Sequence, residues 1–516
     1  MARPSRQTVA KPATGAAAAS DGASRTAGVA IATLVSLVGS ATLTAGLTLT
    51  LIHLLPKHDY GLFALGVGVI QIVVLASDLG VTLSTSRRLA ACAQPDEHGR
   101  IAASGLVVRT VGVVVVCGAV AVVAPLLADL LASRELTPVL RVAALAAAGQ
   151  AMLQFGRICL VALGAARAML TALMLEVVLE VVVSIALVLA TTTAVAAMAG
   201  RAVAFAVGAL LAIWLLGRAV GGLGRPEGGE ARAIGRGGVP LAVADLTWVL
   251  FLQIDALLIG ALLTTADVAS FEAPLRALVI GGYIGAALGY AIGPRLAADA
   301  TRLEAARHLR FGLRLAATVQ GLVAIGWVLV VAPAAPVLFG EDYRSSTDVM
   351  YALAPYLYLS ATLPLLSLAL VYTGRGSARA AIYAGALGVN AVLDLALLRP
   401  LGVMGATIGS NVALALLLLF HVRLLRGLPG IGVRALAEPL IVCGIAAAAC
   451  AGLGLLAGLL GEGARVVALV PCALAFLALT RRAGCWSPGD VRMMWRALPI
   501  PHKIGARYRR IGASAA

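Results

Sequence analysis

The chain has 516 residues, 61% of them hydrophobic and 12% charged, with a formal net charge of +16. Soluble domains run about 45–50% apolar and roughly 25% charged; here the apolar excess extends along nearly the whole sequence, which excludes a water-soluble globular protein. The basic excess does not point to nucleic acid, because the arginines lie in short loops between apolar runs, where the cytoplasmic loops of spanning proteins collect them.

Residues 1–26, rich in Ala, Ser, Thr and Arg, read as a disordered cytoplasmic arm. The apolar stretch from about 27 to 55 is too long for a signal peptide and predicts a first spanning helix. Later spans are expected near 60–83, 104–132, 138–165, 168–193, 194–217, 239–263, 272–294, 312–338, 347–372, 376–398, 402–425, 434–460 and 464–480. Each approaches or exceeds the roughly 20 residues that cross the hydrocarbon. The predicted fold is an all-α polytopic membrane protein with about fourteen transmembrane helices.

Charge sets the topology. Even-numbered loops and the tail hold most arginines, among them Arg87, Arg88, Arg218, Arg232, Arg307, Arg375, Arg423 and Arg481. Odd-numbered loops hold little beyond Lys57, Arg134, Arg344, Arg399 and Arg465, several beside acids. Both termini are therefore expected in the cytoplasm, which requires an even number of spans.

A weak internal repeat divides the chain. His58-Asp59-Tyr60-Gly61 after helix 1 is echoed 208 residues later by Ala266-Asp267-Val268-Ala269 after helix 7. Arg88-Leu89-Ala90 is echoed by Arg295-Leu296-Ala297, and Gly164 before helix 5 by Gly374 before helix 11. Two six-helix lobes that both start inside make a parallel repeat about an axis along the membrane normal. The expected organisation is the arm (1–26), an N-lobe (27–217), a cytoplasmic linker (218–238), a C-lobe (239–426), helices 13 and 14 (434–480) and a basic cytoplasmic tail (481–516).

The three lysines, Lys11, Lys57 and Lys503, lie in no phosphate-binding loop. The seven cysteines form no CxxC pair and read as small buried hydrophobes. No catalytic residue, metal ligand set or cofactor motif is expected, and the chain reads as a transporter or scaffold, not an enzyme.

Ionisable groups at bilayer depth are costly and mark a pathway or a buried pair. Helix 3 carries Arg109, helix 4 Gln154 and Arg157, helix 5 Glu176 and Glu180, helix 7 Asp245, Gln253 and Asp255, helix 8 Arg276, and helix 11 Asn390 and Asp394. Arg109 and Arg276 fall near expected helix ends and can snorkel. Glu176 and Glu180 can pair with Arg157 or Arg201 as structural glue, and Asn390 with Asp394 can bond between helices. Together they predict a polar cavity between the lobes. Helix 8 spaces Gly281, Gly285, Gly289 and Gly293 by four, a face for close packing or for bending. Pro333, Pro336, Pro355 and Pro364 mark further bends in helices 9 and 10.

Several stretches resemble the polysaccharide-transporter branch of the multidrug/oligosaccharidyl-lipid/polysaccharide exporter superfamily, which includes O-antigen flippases. They are Leu54 to Phe63 after helix 1, Ser77-Asp78-Leu79-Gly80 with Arg87-Arg88 at the end of helix 2, Gln253 to Gly260 in helix 7, Leu338 to Tyr343 after helix 9, and Pro400 to Ala406 between helices 11 and 12. The resemblance implies two lobes around a central cavity, in a bacterial cytoplasmic membrane. It implies transfer of a polyprenyl-pyrophosphate-linked oligosaccharide to the outer leaflet by alternating access, alongside polysaccharide polymerase and glycosyltransferases. From depth and charge, Arg276, Arg157 and Arg109 are expected at the anionic head group, and Asp255, Glu176, Glu180, Asp245 and Asn390 in ion coupling or the cavity. A lipid II flippase and a cation-coupled multidrug antiporter of the same superfamily are the alternatives, with a membrane glycosyltransferase or polymerase a third. Modest interior arginine, the lack of an acid in helix 1, and short outer loops count against them in turn.

Overall fold

The computed structural model describes residues 39–131, 133–278, 302–372, 376–425 and 432–486. Among these the secondary structure is helical, with no strand. Among the described residues eleven helices are long and apolar enough to cross a membrane, and twelve if a bent pair counts as one span. The chain is a multi-pass membrane protein. The first and eighth expected spans extend outside the described residues, so the expected fourteen are not all in view; Gly281, Gly285, Gly289 and Gly293 lie outside as well.

The chain divides into two units. The first runs to Gln253 and includes Thr264–Ala269; the second comprises Ile254–Leu263 and everything from Ser270.

In the first unit α1 (Gly39–Leu54) ends before Pro56, whose fixed φ of −53° caps α2 (Lys57–Ala76). The second expected span is broken. α2 stops at Ser77, Leu79 and Gly80 turn left-handed (φ 44° and 74°), and α3 (Val81–Ala91) resumes with a polar, arginine-bearing sequence. α4 (Pro95–Leu130) opens with Pro95 at its start and Asp96 and Glu97 in its first turn, which suits both the free N–H groups and the helix dipole. Its 36 residues span about 54 Å at 1.5 Å each, well beyond the hydrocarbon thickness. Val114, Val122 and Leu126 are 65–79% exposed along it, as a lipid-facing surface requires. α5 (Leu136–Ala162), α6 (Ala166–Thr191) and α7 (Ala194–Ala219) pack closely. Gly149 meets the backbone of Phe205 and Ala206, and Gly156 meets Ala212, so bare backbone lets α5 and α7 approach.

Polar loops gather at the two ends of this unit. At one, Asp59 accepts from the Ala194 amide at 2.9 Å and so caps α7, and His58 bridges Glu135 (2.6 Å) and the Thr265 hydroxyl. At the other, Arg88 pairs with Glu230 and Arg100 with Glu227, both at 2.7 Å. Odd-numbered loops meet at the first end and even-numbered loops at the second. α8 (Gly228–Leu262) starts earlier than the span expected near 239, so it takes up the second half of the expected linker 218–238.

The described part of α9 (265–278) starts in the first unit, after a turn in which Thr264 and Asp267 cap each other's backbone N–H groups, and enters the second at Ser270, to which the helices after it belong. α10 (Arg302–Gly326) runs into a π-helical turn, Trp327–Val331, before Pro333; α11 (Ala335–Phe339) follows. The tenth expected span is three short helices, α12 (Ser346–Ala352), α13 (Ala354–Ser360) and α14 (Leu363–Tyr372), bent by 42° at Leu353–Pro355. Backbone carbonyls beside these breaks are satisfied from α10 and its π turn: Gln320 donates to Leu357 O, and Trp327 to Met350 O, each at 2.6 Å. α15 (Gly376–Leu401) and α16 (Val403–Leu425) form a close pair. α17 (Val433–Ala457) and α18 (Glu462–Arg482) pack on α10, where Gly321 faces the Phe476 ring and Gly454 faces Leu329.

Candidate functional site

Each unit carries a buried polar cluster inside spanning helices. In the second unit, Asp255 projects from the last turns of α8, Asn390 and Asp394 lie one turn apart on α15, and Ser410 stands on α16. None is more than 5% exposed. Asn390 Nδ2 donates to Asp255 Oδ1 and Ser410 Oγ donates to Asp255 Oδ2, both at 2.6 Å. The Asp394 carboxyl lies near Asp255. Among the described residues neither acid has an ion-pair partner, and both Asp394 oxygens and Asn390 Oδ1 are buried without a donor.

Space for this cluster comes from a glycine. A Cβ at Gly409 would run into Asp394 Oδ1 and stand 3.2 Å from Asn390 Oδ1. The cluster offers carboxylate, amide and hydroxyl oxygens only, a hard donor set suited to a small alkali cation or a proton. Among the described residues no group of three or more His, Cys, Asp or Glu could hold a metal ion. Asp255, Asn390 and Asp394 are legible in the sequence as ionisable or polar groups inside apolar runs; Ser410 and Gly409 carry no local signal, because their role arises only when α16 packs on α15.

In the first unit, Glu176 and Glu180 on α6 are 5% and 4% exposed. Both Nε and Nη2 of Arg201, on α7, reach Glu180 Oε1 at 2.6 Å. The guanidinium lies over Phe63 (5.3 Å to the ring centre) and Phe205 (5.8 Å). Glu176 feels Glu180, Arg157 and Arg201. Here Glu180 has a cation bonded to it.

Arg109 is not near a helix end, as the sequence suggested, and does not snorkel. It stands within α4, is 0% exposed, and pairs with Asp78 at 3.2 Å. Its other N–H groups reach Ser77 Oγ (3.3 Å), Val74 O (3.2 Å) and Ala151 O (3.4 Å). Breaking α2 at Ser77 strips its last carbonyls of helical donors, and Arg109 supplies one of the replacements. Arg276, on α9, is one-third exposed and pairs with Glu272 at 2.8 Å. Arg157 is half-buried, with its Nε unpaired. Asp245, on α8, is half-buried and partnered.

Comparison with known proteins bears on this arrangement. A family model described as polysaccharide biosynthesis protein matches residues 27–298. No curated protein matches the chain in sequence. Among solved structures, the lipid II flippase MurJ in an inward closed conformation is similar over 88% of this chain and 99% of that one, with a TM-score of 0.70 and 10% identity. An inward-facing multidrug resistance MATE family transporter of the MOP superfamily aligns over 77% of this chain and 95% of its own, at TM-score 0.59 and 17% identity. A mutant MATE transporter from Vibrio cholerae covers 79% and 98%, at TM-score 0.56 and 16% identity. At such identities the likeness is one of fold.

Proposed function

We propose, from the premise that the chain belongs to the polysaccharide biosynthesis protein family, that it is a flippase and not an enzyme. It moves a polyprenyl-pyrophosphate-linked oligosaccharide from the cytoplasmic to the outer leaflet of a bacterial cytoplasmic membrane, with both termini inside. The carrying observation is the acid pair Asp255–Asp394, buried within spanning helices and without an ion-pair partner among the described residues. Such a pair is costly and is stabilised when a cation joins it, so cation binding and release can drive a conformational cycle. One shared proton would satisfy a single orphaned oxygen, whereas an alkali cation the size of sodium can meet Asp255, Asp394, Asn390 Oδ1 and Ser410 Oγ together.

The sugar and pyrophosphate cannot cross hydrocarbon unaided. Arg157 and Arg276, both partly exposed, are the arginines we assign to the pyrophosphate, because a guanidinium matches phosphate oxygens bidentately. Arg109, sealed against Asp78, is assigned instead to holding the α2–α3 break. The similarity in fold to a lipid II flippase favours, as second reading, a lipid-linked peptidoglycan precursor as cargo.

Gene deletion followed by mass spectrometry of polyprenyl-linked oligosaccharides tests the proposal. Accumulation of a complete unit facing the cytoplasm is expected; an unchanged pool with altered resistance to cationic drugs contradicts it and favours an antiporter.

A further inference from the structure

We infer that Arg201 is a tethered cation, standing in the first unit where the second unit binds a free one; this rests on reading the Asp255 cluster as a cation site. The repeat aligns the two clusters residue by residue. α6 and α15 each end at a left-handed residue, Thr192 (φ 51°) and Gly402 (φ 58°), 210 positions apart. α7 then begins at Ala194 and α16 at Val403, 209 apart, because the first unit has one more residue in the loop. Under these offsets Glu180 corresponds to Asn390, Ser184 to Asp394, Gly200 to Gly409 and Arg201 to Ser410. Packing supports the alignment independently. A Cβ at Gly200 would collide with Ser184, as one at Gly409 would collide with Asp394. The same glycine contact recurs between the same pair of helices in each unit.

The residues then differ in one systematic way. The second unit's cluster has two acids, Asp255 and Asp394, and no ion-pair partner for either among the described residues. In the first unit the position of Asp255 falls on Leu47 by the 208-residue offset of the preceding loops, and the position of Ser410 holds Arg201. The acids change place but not number, with Glu176 and Glu180 buried here where Asp255 and Asp394 are buried there, and a built-in positive charge is gained. Glu180, Phe63 and Phe205 enclose the guanidinium, whose side chain is 13% exposed. Carboxylate and aromatic faces are what a cation requires. The first unit therefore carries its own cation at Glu180, and exchangeable cation is confined to the second. Removing Arg201 is expected to open a second cation site at Glu176, Glu180 and Ser184.

The test uses the purified full-length chain in detergent. Melting temperature is titrated with sodium chloride, and separately with guanidinium chloride at low concentration, against choline chloride at matched ionic strength. A ligand that binds only the folded chain raises its melting temperature with the logarithm of its concentration above the dissociation constant. Asp255→Asn alone is expected to lose the sodium-dependent rise. Adding Arg201→Ser is expected to restore a concentration-dependent rise with sodium or guanidinium but not choline, whereas adding Arg201→Lys restores none. Arg201→Gln serves if Arg201→Ser does not fold. A double variant unresponsive to both cations overturns the inference, as does an Arg201→Lys double variant that regains a response. A sodium response that survives Asp255→Asn alone overturns instead the reading of the second unit on which it rests.

Discussion

Asn390 donates its amide N–H to Asp255 at 2.6 Å while its own carbonyl oxygen, buried beside Asp394, has no donor. One side chain thus fixes the first acid and points an acceptor at the space the two acids share. Ser410 repeats the arrangement from α16 with its hydroxyl bonded to the other Asp255 oxygen. Among the described residues the cluster therefore holds more buried acceptors than donors.

Asp394→Asn removes one negative charge and leaves the helix contacts in place. Flipping is expected to fall by about tenfold or more, equivalent to roughly 1.4 kcal/mol, and the sodium dependence of thermal melting is expected to disappear. Melting curves with and without sodium, beside complementation of a deletion strain, measure both. A variant that keeps its sodium response would place the cation elsewhere.

Arg109→Ala strands Asp78 in the interior. Removing one partner of a buried pair costs about 3–5 kcal/mol, so this variant is expected to melt far below the parent. Asp78 also takes bonds from the Thr82 amide and hydroxyl, which moderates the loss when Asp78 is replaced instead. A double-mutant cycle on Arg109→Met and Asp78→Asn should show a coupling energy of about 0.5–3 kcal/mol. Independent effects would show that the ion pair does not hold the helix break.

Gly61→Ala pushes a methyl group into the Thr265 carbonyl, which lies against Gly61. The turn before α9 must then move from α2, at about 1–3 kcal/mol. Alkylation of a cysteine placed at Thr265 should quicken in this variant. An unchanged labelling rate would mean that the turn tolerates the added volume.

Phe476→Ala empties the contact between α18 and Gly321 of α10. Loss of a buried ring costs about 3–5 kcal/mol, and limited proteolysis should release α17 and α18 first. Cleavage spread evenly along the chain would show that they are not a separate layer.

Much of the architecture was legible because hydrocarbon imposes one requirement, long apolar helices, and charge in the loops records their order. The bends expected at Pro333 and Pro355 lie at the π turn and at the 42° break. What remained hidden depends on packing. Ser77-Asp78-Leu79-Gly80 reads as the end of a span, yet α3 continues beyond it, because Arg109 from α4 accepts the cost of the break. Arg109 itself was misplaced since its distance from a helix end depends on how far α4 extends past the hydrocarbon. Glu180 with Arg201 was among the pairings the sequence allowed. Ser410 could be found only by carrying the repeat through the one-residue difference between Thr192-Thr193 and Gly402.

The central claim is cation-driven transfer of a lipid-linked oligosaccharide, and the direct measurement is leaflet exposure in proteoliposomes. The purified chain is reconstituted with a polyprenyl-pyrophosphate-linked oligosaccharide, and an impermeant glycosidase reports the outward fraction under a sodium gradient. The account predicts protection or exposure that follows the direction of the gradient and is lost in Asp255→Asn. Transfer that ignores the gradient, or an oligosaccharide distribution the same as in protein-free vesicles, would contradict it.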